Sequence, residues 1–354
     1  SLRSRGRCAG RAWGFAARED FVSEPLPGGL INTSYLVRGP DGSPRAVVQR
    51  LHSIFAAEVN LDLDAITSHL AARGLETPRL LRTVDGRRWI DAGGATWRAL
   101  SWVEGVTVHR VPDLAWAEAG GALVARFHRA VADLDHDYAF ARAGVHDTAA
   151  HLDRLDEVVR ASAELDGNPA PLVNAIDLGR EIRAAAGALP ALGELPHRHS
   201  HGDLKISNLR FRLAPGPVGV CLLDLDTLGR QTVAFELGDA MRSWCNRTGE
   251  DVAAPVFDLA VFAAAMRGYA DPGRGLLAPV ELPAIVDGVH TVCIELAARF
   301  CVDAFEDRYF GWDPTRFPSR RAHNLVRARG QLALGRSVAA QRDDALAVVH
   351  DALA

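Results

Sequence analysis

Residues 1–104 carry short apolar runs separated by turn residues, a pattern that predicts β-strands. Glycine, proline and aspartate fill the turns at 25–29, 39–44 and 85–86. One longer segment with helical spacing, residues 56–73, interrupts the strands. We predict strands at 30–37, 46–51, 79–84, 88–91 and 97–105. This part of the chain is therefore expected to form an antiparallel sheet with one helix.

Beyond residue 111 the apolar side chains recur at helical spacing. Residues 113–131, for example, place Leu123, Phe127 and Val131 on one face of a predicted helix. Another helix should begin at Asp147-Thr148, because an oxygen-bearing side chain there can accept a hydrogen bond from the first helical turn. Further helices are predicted at 175–189, 256–269 and 283–305. The chain is thus expected to be of the α+β class, with a mostly helical C-terminal part.

One stretch of polar residues has the spacing that phosphoryl transfer requires. Asp203 is followed five residues later by Asn208, and an apolar run at 217–223 ends at Asp224. An Asp that accepts a hydroxyl proton and an Asn that binds Mg²⁺ can face the same γ-phosphate from one short loop. A strand ending at Asp224 would direct its carboxylate back to Asn208 as the second Mg²⁺ ligand, and Asp226 could assist.

Lys205 lies two residues after the candidate base Asp203. It is the only lysine of the sequence, so 39 of the 40 Lys and Arg residues are arginine. A compact ammonium at this place could neutralise the charge of a transferring phosphoryl group. An ordinary solvated lysine is the alternative. We assign Lys205 a catalytic role beside Asp203.

The segment from His201 to Asn208 resembles the catalytic loop of the aminoglycoside phosphotransferase and choline kinase superfamily, small-molecule relatives of the protein kinases. Within this superfamily the chain is most similar to the N-acetylhexosamine 1-kinase group. The similarity extends through residues 29–37, 222–227, 235–242, 299–300 and 323–327. It implies a bilobal protein-kinase-like fold, with ATP in the cleft between an N-lobe of residues 1–104 and a C-lobe of residues 105–354.

The same resemblance assigns supporting roles behind the catalytic loop. His201 would hold the loop in place. Asp239 would accept hydrogen bonds from backbone N–H groups of the loop. Asp239 could also cap the helix that follows it, and both roles are compatible.

The N-lobe offers candidate contacts for ATP. Glycines and small polar residues in a turn let the backbone approach a triphosphate and donate N–H groups, although a plain hairpin turn is the alternative. These residues are Gly28, Gly29, Asn32, Thr33 and Ser34. The strand that ends in Trp102, Val103 and Glu104 resembles the kinase hinge, whose backbone would hydrogen-bond adenine. Trp102 could equally be a core residue.

The strand at 46–51 lacks the lysine with which kinases bind the α- and β-phosphates. Gln49 or its neighbour Arg50 falls at that position, and the N-acetylhexosamine 1-kinase group also has Gln there. The helix that follows would normally supply a glutamate to such a lysine. Its polar candidates are Glu58, Asn60, Asp62 and Asp64, and the sequence does not choose among them.

The predicted helix at 283–305 and the residues after it resemble the stretch in which N-acetylhexosamine kinases present an Arg and a Tyr to the sugar. The resemblance assigns these roles to Arg299 and Tyr309, and Asp303 is a further candidate for acceptor binding. A salt bridge between Arg299 and Asp303, spaced i and i+4 on the helix, is the alternative. One residue of the family's Gly-Asp turn is absent between Phe305 and Tyr309.

Composition narrows the possible classes of protein. A net charge of −4 and a pI near 6.3 argue against a nucleic-acid-binding surface. No apolar run approaches the roughly 20 residues that span a bilayer, and residues 1–7 are not followed by a signal-peptide core. The five cysteines form no Cys-x-x-Cys pair. We therefore expect a cytoplasmic protein whose partner is a small molecule, not a nucleic acid or a membrane.

The expected function is ATP- and Mg²⁺-dependent transfer of the γ-phosphate to a hydroxyl group. The resemblance implies that the acceptor is the anomeric hydroxyl of an N-acetylhexosamine or a related sugar. An aminoglycoside phosphotransferase would need an acidic acceptor pocket, to which Asp303, Glu306 and Asp307 could contribute. A kinase for another small alcohol would use the same catalytic loop. A nucleotide-binding pseudokinase is suggested by the missing lysine, but the intact catalytic and metal-binding residues oppose it.

Overall fold

A computed structural model describes residues 11–15, 22–26, 32–140, 144–165 and 170–354. The N-terminal strands form an antiparallel sheet in the order β1-β2-β3-β6-β4, and β5 also pairs with β6. The strands are β1 Val22–Leu26, β2 Thr33–Arg38, β3 Pro44–Arg50, β4 Leu80–Leu81, β5 Ile90–Ala92 and β6 Ala95–Ser101. The predicted antiparallel sheet is thus confirmed. Gly28 and Gly29 lie outside the described residues.

Alternation along the strands gives this sheet two different faces. One face buries an aromatic and aliphatic cluster that includes Tyr35, Val48 and Trp97. The other face carries Gln49 on β3 and Arg98 on β6, which are directly opposite each other in the register. A polar pair at the centre of a sheet is unusual, because buried charge is costly without partners. This second face borders the candidate site.

Helix α1, Val59–Ala72, lies beside the sheet and confirms the single helix predicted at 56–73. Its inward residues Leu63, Ile66 and Leu70 join the main core of the protein. We use N-lobe for the six-stranded sheet with α1, and C-lobe for the elements from α2 onward.

The C-lobe is mostly helical, as predicted. Its helices are α2 Leu114–Val131, α3 Thr148–Ala163, α4 Ala170–Ala186, α5 Val233–Trp244, α6 Leu259–Gly273, α7 Glu281–Glu306, α8 Arg320–Ala340 and α9 Arg342–Leu353. Asp113 and Asp147 cap α2 and α3 by accepting backbone N–H groups of the first turn. The α2 residues Leu123, Phe127 and Val131 are all buried.

Two helix crossings bring backbones into direct contact. A Cβ on Gly268 of α6 would lie 1.9 Å from the carbonyl oxygen of Glu118 on α2. A Cβ on Gly288 of α7 would lie 2.0 Å from the carbonyl oxygen of Ala234 on α5. Only glycine permits such close approach, so these crossings fix how the C-lobe helices pack.

Two small two-stranded antiparallel sheets frame the candidate site within the C-lobe. Strand β7, His197–Ser200, pairs with β10, Gly229–Thr232, and β8, Leu209–Leu213, pairs with β9, Pro217–Leu222. The loop between β7 and β8 therefore connects one of these sheets to the other. No helix among the described residues has the length and apolar content to cross a membrane.

Candidate active site

The catalytic loop, residues 201–208, connects β7 to β8. Its first residue, His201, is completely buried. The Nε2 atom of His201 is 2.8 Å from the carbonyl oxygen of Leu223, and Nδ1 accepts the backbone N–H of Asp203 at 3.2 Å. Because Nδ1 is the acceptor, the proton resides on Nε2 and the ring is neutral. His201 thereby ties the loop to the strand end that precedes Asp224.

Asp203, Lys205 and Asn208 form one hydrogen-bonded group in this loop. Lys205 Nζ donates to Asp203 Oδ2 at 2.6 Å, and Asn208 Nδ2 donates to the same oxygen at 3.0 Å. Asn208 Nδ2 also donates to the main-chain carbonyl of Asp203 at 2.9 Å. Within the described part of the chain, neither Asp203 Oδ1 nor the amide oxygen of Asn208 accepts a hydrogen bond. These two oxygens are the ones left for an acceptor hydroxyl and a cation.

The charge on Lys205 is stabilised by its surroundings. Burial of the side chain on its own would lower the pKa of the ammonium. The carboxylates of Asp203, Asp224 and Asp239 outweigh that effect and raise the pKa above its ordinary value. Lys205 is therefore a permanent cation at neutral pH.

Asp224 follows β9 in the left-handed backbone conformation, with φ 61° and ψ 57°. The residue is accessible from the cleft, but protein surrounds its carboxyl group. This desolvation, together with the negative charges of Asp226 and Asp203, raises the pKa of Asp224. A cation bound at Asp224 would offset this unfavourable negative charge.

Asp226 is completely enclosed and is occupied by other partners. Arg98 Nη1 donates to Asp226 Oδ1, and Arg98 Nη2 donates to Oδ2 at 2.9 Å. Asn32 Nδ2 also donates to Oδ2, at 2.5 Å. Both oxygens of Asp226 thus accept hydrogen bonds from protein, and the assisting metal-binding role of Asp226 stays a prediction. Asn32 likewise faces this carboxylate and the backbone of His52, not an open phosphate loop.

Glu236, not Asp239, supports the backbone of the catalytic loop. Glu236 Oε1 accepts the N–H of His201 at 2.7 Å, and Oε2 accepts the N–H of Gly202 at 2.9 Å. Burial would raise the pKa of Glu236, but hydrogen bonds from His128 and the loop backbone lower it overall. The role assigned to Asp239 is thus wrong, because helix α5 presents Glu236 to the loop one turn earlier.

Asp239 instead pairs with Arg242 of the same helix, at 2.8 Å. Burial opposes its ionisation, whereas Arg242, His146 and Lys205 together lower its pKa below the ordinary value. Asp239 is therefore ionised and lies within electrostatic reach of Lys205.

A cavity of about 130 Å³ lies between the N-lobe sheet and the strand end at Asp224. Its walls are mainly apolar, as suits a flat heterocyclic ring. The apolar lining consists of Leu26, Val47, Pro78, Leu100, Trp102, Val103, Leu223 and Leu225. Its polar lining consists of Ser34, Gln49, Arg98, Ser101, Arg210 and Asp224. Four predicted nucleotide-binding residues thus meet the predicted metal ligand Asp224 in one cavity.

The predicted hinge borders this cavity. Trp102 is neither fully buried nor exposed, and its ring lies 4.2 Å from the guanidinium carbon of Arg210. Its Nε1 donates to the carboxylate of Glu104 at 2.9 Å. Glu104 is exposed and does not line the cavity, and Thr33 is also exposed, on β2. Trp102 and Val103 are therefore better placed than Glu104 and Thr33 to contact a nucleotide.

Arg98, a cation on the neighbouring strand β6, lies beside the position of the missing strand lysine. Gln49 Oε1 accepts hydrogen bonds from Arg98 Nε and Nη2 at 2.9 and 2.8 Å. Gln49 Nε2 donates to the hydroxyl of Ser34 at 3.0 Å. On α1 it is Asn60 that reaches this group, with its oxygen 3.4 Å from Arg98 Nη1.

The acidic candidates on and before α1 have other partners or positions. Asp62 accepts hydrogen bonds from His136 and from backbone N–H groups at 139–140. Asp64 pairs with Arg82 and Arg88 on the surface. Glu58 precedes α1 without a capping hydrogen bond from its side chain. Asn60 is therefore the helix residue that contacts the site.

The donors around the cleft fit a hard divalent cation. Asn208 offers an amide oxygen and Asp224 a carboxylate, the ligands that Mg²⁺ prefers. Among the described residues, no three or more His, Cys, Asp or Glu side chains are grouped to hold a metal. A cation here would take its other ligands from nucleotide phosphates and water, which is usual for Mg²⁺ in phosphoryl-transfer sites.

A larger open cavity of about 660 Å³ lies in the C-lobe among α3, α5 and α7. His146 lines it and stacks on Phe235, with ring centroids 4.7 Å apart. Glu295, which is buried, accepts hydrogen bonds from His146 Nδ1 at 3.0 Å and from the Thr148 hydroxyl at 2.7 Å. His146 also lines a smaller cavity that reaches Gly202 of the catalytic loop. The larger cavity, of about 660 Å³, is the candidate acceptor pocket.

The predicted sugar-binding residues lie behind or beside this pocket. Arg299 is 3.9 Å from Glu295, so its ion-pair partner is Glu295 and not Asp303. Asp303 is buried and accepts backbone N–H groups of residues 308–310 and the amide of Asn324, which leaves it no place at a ligand surface. Tyr309 is 59% exposed and does not line the pocket.

Several residues of the site were not predicted from the sequence. They are Arg98, Arg210, Asn60 as a contact, Glu236, His146 and Phe235. A signal existed for Arg98, because an arginine between Trp97 and Ala99 on a strand lies on the face opposite to theirs, away from the apolar cluster. Glu236 sits in the segment 235–239 that was already singled out. His146 and Phe235 meet only in the folded chain.

A family model matches the sequence of this chain, and solved structures match its fold. Residues 22–272 match the model of the family described as the phosphotransferase enzyme family. An aminoglycoside phosphotransferase from Alicyclobacillus acidocaldarius superposes with a TM-score of 0.66 at 15% identity, with 96% of each chain covered. A choline/ethanolamine kinase family protein from Mesorhizobium loti gives 0.57 at 15%, covering 99% of this chain and 100% of that one.

An amicoumacin kinase in complex with AMP-PNP and Ca²⁺ gives a TM-score of 0.57 at 16% identity, with 87% of each chain covered. At these identities the structural matches establish the fold alone. The protein-kinase-like bilobal arrangement predicted from the sequence is confirmed by them.

Proposed function

Since the chain belongs to the phosphotransferase enzyme family, and so transfers phosphoryl groups to hydroxyls of small molecules, we propose that its donor is Mg²⁺-ATP and its acceptor a neutral reducing sugar. The observation that carries this proposal is the group formed by Asp203, Lys205 and Asn208, which lies close to Asp224 on the C-lobe side of the cleft. The amicoumacin kinase bound to AMP-PNP and Ca²⁺ supports a nucleotide and a divalent cation as partners.

The mechanism follows from these side chains. The acceptor hydroxyl donates its proton to Asp203 Oδ1 as its oxygen forms a bond to the γ-phosphorus. The bond between that phosphorus and the β–γ bridging oxygen breaks, and ADP leaves. Lys205 stabilises the charge that develops on the transferring group, since its pKa is raised and it remains an ammonium.

A bound Mg²⁺ would supply positive charge to neutralise the nucleotide phosphates. Asn208 and Asp224 are the residues that would hold it. The cavity lined by Trp102 and Val103 would accept the adenine ring.

The acceptor pocket favours a neutral polyhydroxylated molecule. Its polar lining is formed by His146, Thr148, Gln231 and Thr291, and its only carboxylate among the described lining residues is Asp147, which caps α3. Sugars bind well to aromatic faces flanked by hydrogen-bonding groups, and the His146–Phe235 stack provides such a face.

The resemblance to N-acetylhexosamine 1-kinases specifies the sugar further. Arg299 lies one contact behind the pocket wall, since it pairs with Glu295, which holds His146 and Thr148. We therefore place Arg299 as a support of the acceptor-binding residues and propose an N-acetylhexosamine or related sugar, phosphorylated at the anomeric hydroxyl.

The rival acceptors are less well supported by the pocket. A polycationic aminoglycoside would require free carboxylates, but Asp303 is enclosed and Glu306 pairs with Arg154 and Arg308. A pseudokinase would have no need for the charged group around Lys205.

The test is Mg²⁺-ATP turnover, followed by ADP release, against N-acetylglucosamine, N-acetylgalactosamine, glucose, galactose, kanamycin, choline and homoserine. We expect turnover with reducing sugars only, and its loss when the anomeric hydroxyl is blocked as a methyl glycoside. Turnover with kanamycin, choline or homoserine and none with the sugars would overturn the acceptor assignment while keeping the phosphotransferase.

A further inference from the structure

Arg98 lies at the centre of a buried polar cluster that joins the N-lobe sheet to the segment after Asp224. Its side chain is 1% exposed. A guanidinium has five N–H groups, and the structure gives Arg98 five hydrogen bonds. Two go to Gln49, two to Asp226 and one to Asn60.

These five hydrogen bonds limit the ligands that Arg98 can bind. With every N–H group directed at protein, it has no donor left for a nucleotide phosphate. Its charge is balanced by Asp226, whose side chain is 0% exposed. Arg98 therefore acts on Asp226, in contrast to the kinase strand lysine, which binds phosphate directly.

The neutral residues around the pair follow from the same charge balance. One buried cation and one buried anion compensate each other, so a lysine in place of Gln49 would add an uncompensated positive charge. A glutamate in place of Asn60 would likewise add an uncompensated negative one. Amides supply hydrogen bonds without net charge, and Gln49 and Asn60 are both amides.

Asp226 lies two residues beyond Asp224, in the short 3₁₀ turn Leu225–Thr227. Asp224 has a left-handed backbone, which residues other than glycine seldom adopt, so its neighbours must hold it. The turn is held at Asp226 by Arg98 and Asn32, and at Thr227 by a hydrogen bond from its hydroxyl to the His201 carbonyl at 2.8 Å.

We propose that Arg98 is a positioning residue for the metal ligand Asp224. The planar guanidinium group of Arg98 holds Asp226 by hydrogen bonds, and this fixes the backbone conformation that directs Asp224 toward the cation. This inference rests on the proposed Mg²⁺-dependent function. The N-lobe sheet thereby determines the geometry of a metal site in the C-lobe, and the missing strand lysine does not mark an inactive protein.

The test compares wild type with R98K, which keeps the charge but cannot form the five-donor fork. Residues that orient metal ligands typically change metal affinity roughly 10- to 100-fold when altered. We expect the Mg²⁺ concentration for half-maximal turnover to rise about tenfold or more. We expect the ATP dissociation constant measured in EDTA to stay within about twofold of wild type, since the donors to ATP are unaltered.

Lys205 supplies a second readout that does not depend on turnover. In wild type Lys205 is the only side-chain amine that an ATP acyl-phosphate reagent can acylate, and in R98K its peptide is distinguished from the peptide that carries the introduced lysine. Peptide mapping by mass spectrometry measures the acylation rate with and without Mg²⁺. We expect Mg²⁺ to change this rate in wild type and to have little effect in R98K at the same concentration.

Two further variants keep the result decisive. If R98K does not fold, R98Q/D226N removes both charges together, avoids an orphaned buried ion, and is judged by the same criteria. R342K is the matched control, because Arg342 also makes a two-point contact with an aspartate, Asp287, at 2.8 and 3.1 Å. R342K should leave the Mg²⁺ dependence unchanged.

The outcomes separate two failures. Unchanged Mg²⁺ dependence and unchanged Lys205 acylation in R98K would show that the Arg98–Asp226 pair only stabilises the fold, and would overturn this inference. Wild-type protein without any Mg²⁺-dependent turnover would instead overturn the proposed function itself.

Discussion

Asp224 shows most clearly how features that suit a residue to metal binding can destabilise the cation-free protein. It combines a left-handed backbone with a carboxyl group that is desolvated and close to Asp226 and Asp203. Each feature disfavours the charged side chain in the cation-free protein, and each suits a ligand that awaits a cation. Asparagine tolerates the same backbone conformation without the charge.

We predict that D224N raises the melting temperature of the metal-free protein at neutral pH by a few degrees at most. The pKa of Asp224 is raised on folding, so its contribution to stability is present at low pH and is lost as the pH rises through the folded pKa. The variant resembles the protonated residue. Its advantage should therefore shrink as the pH falls from 8 toward 3.8, the ordinary value for the group.

Thermal unfolding from pH 8 to pH 5, with EDTA, measures this difference. Adding Mg²⁺-ATP should stabilise wild type and have a smaller effect on D224N, because the variant lacks the carboxylate ligand. A lower melting temperature for D224N than for wild type at pH 8 would contradict the inference that the charge on Asp224 destabilises the cation-free protein.

Residue spacing along the sequence was enough to find Asp203, Lys205, Asn208 and Asp224, since these lie within one loop and one strand end. It was not enough for Arg98, because its contact with Gln49 depends on strand register across 49 residues. The partners of Asp226 were missed for the same reason, because Arg98 and Asn32 come from distant parts of the chain. Local patterns locate groups, whereas pairing in space decides what each group does.

At the scale of elements, helix α5 connects packing to catalysis. It presents Glu236 to the catalytic loop and crosses α7 at Gly288, where the two backbones touch. A methyl group at Gly288 would overlap the carbonyl of Ala234, two residues from Glu236. Because backbone cannot move aside cheaply, α5 itself must shift.

We predict that G288A lowers the free energy of unfolding by about 1–3 kcal/mol, as overpacking typically does, and also lowers kcat of the folded protein. Denaturant unfolding and steady-state kinetics measure the two effects. G268A provides a matched comparison, since its Cβ would overlap the Glu118 carbonyl on α2. Along α2, Glu118 is ten residues, or roughly 15 Å, from His128.

G268A should lose comparable stability and show a smaller loss of kcat than G288A, because Gly268 reaches Glu236 only indirectly, through Tyr269 and His128. G311A is a neutral control, because nothing lies within 4 Å of a Cβ at that position. Equal losses of kcat in G288A and G268A would show that α5 has no special connection to the catalytic loop.

Element bounds were predicted well where the apolar stripe is strong. Helices α2 and α7 were expected at 113–131 and 283–305 and are observed at Leu114–Val131 and Glu281–Glu306. Helices α8 and α9 were not predicted. In α8 the buried face includes His323, Asn324 and Gln331, so burial there does not follow hydrophobicity.

At the scale of the whole molecule, two lobes meet at a cleft that carries both halves of the chemistry. The N-lobe contributes the cavity wall with Gln49 and Arg98, and the C-lobe contributes the catalytic loop and Asp224. The buried contacts of Asp226 with Arg98 and Asn32 join the two. The sequence predicted the lobes, but not this connection between them.

The central claim is that this molecule transfers a phosphoryl group at Asp203. Its most direct test is transfer of label from [γ-³²P]ATP to a pool of reducing sugars, with wild type and D203N compared side by side and with ATP affinity measured for both. We predict a labelled sugar phosphate with wild type and Mg²⁺. With D203N we predict a rate lower by about 10²–10⁴ and unchanged ATP affinity. Equal labelling by D203N, or no labelled product from wild type, would contradict the account.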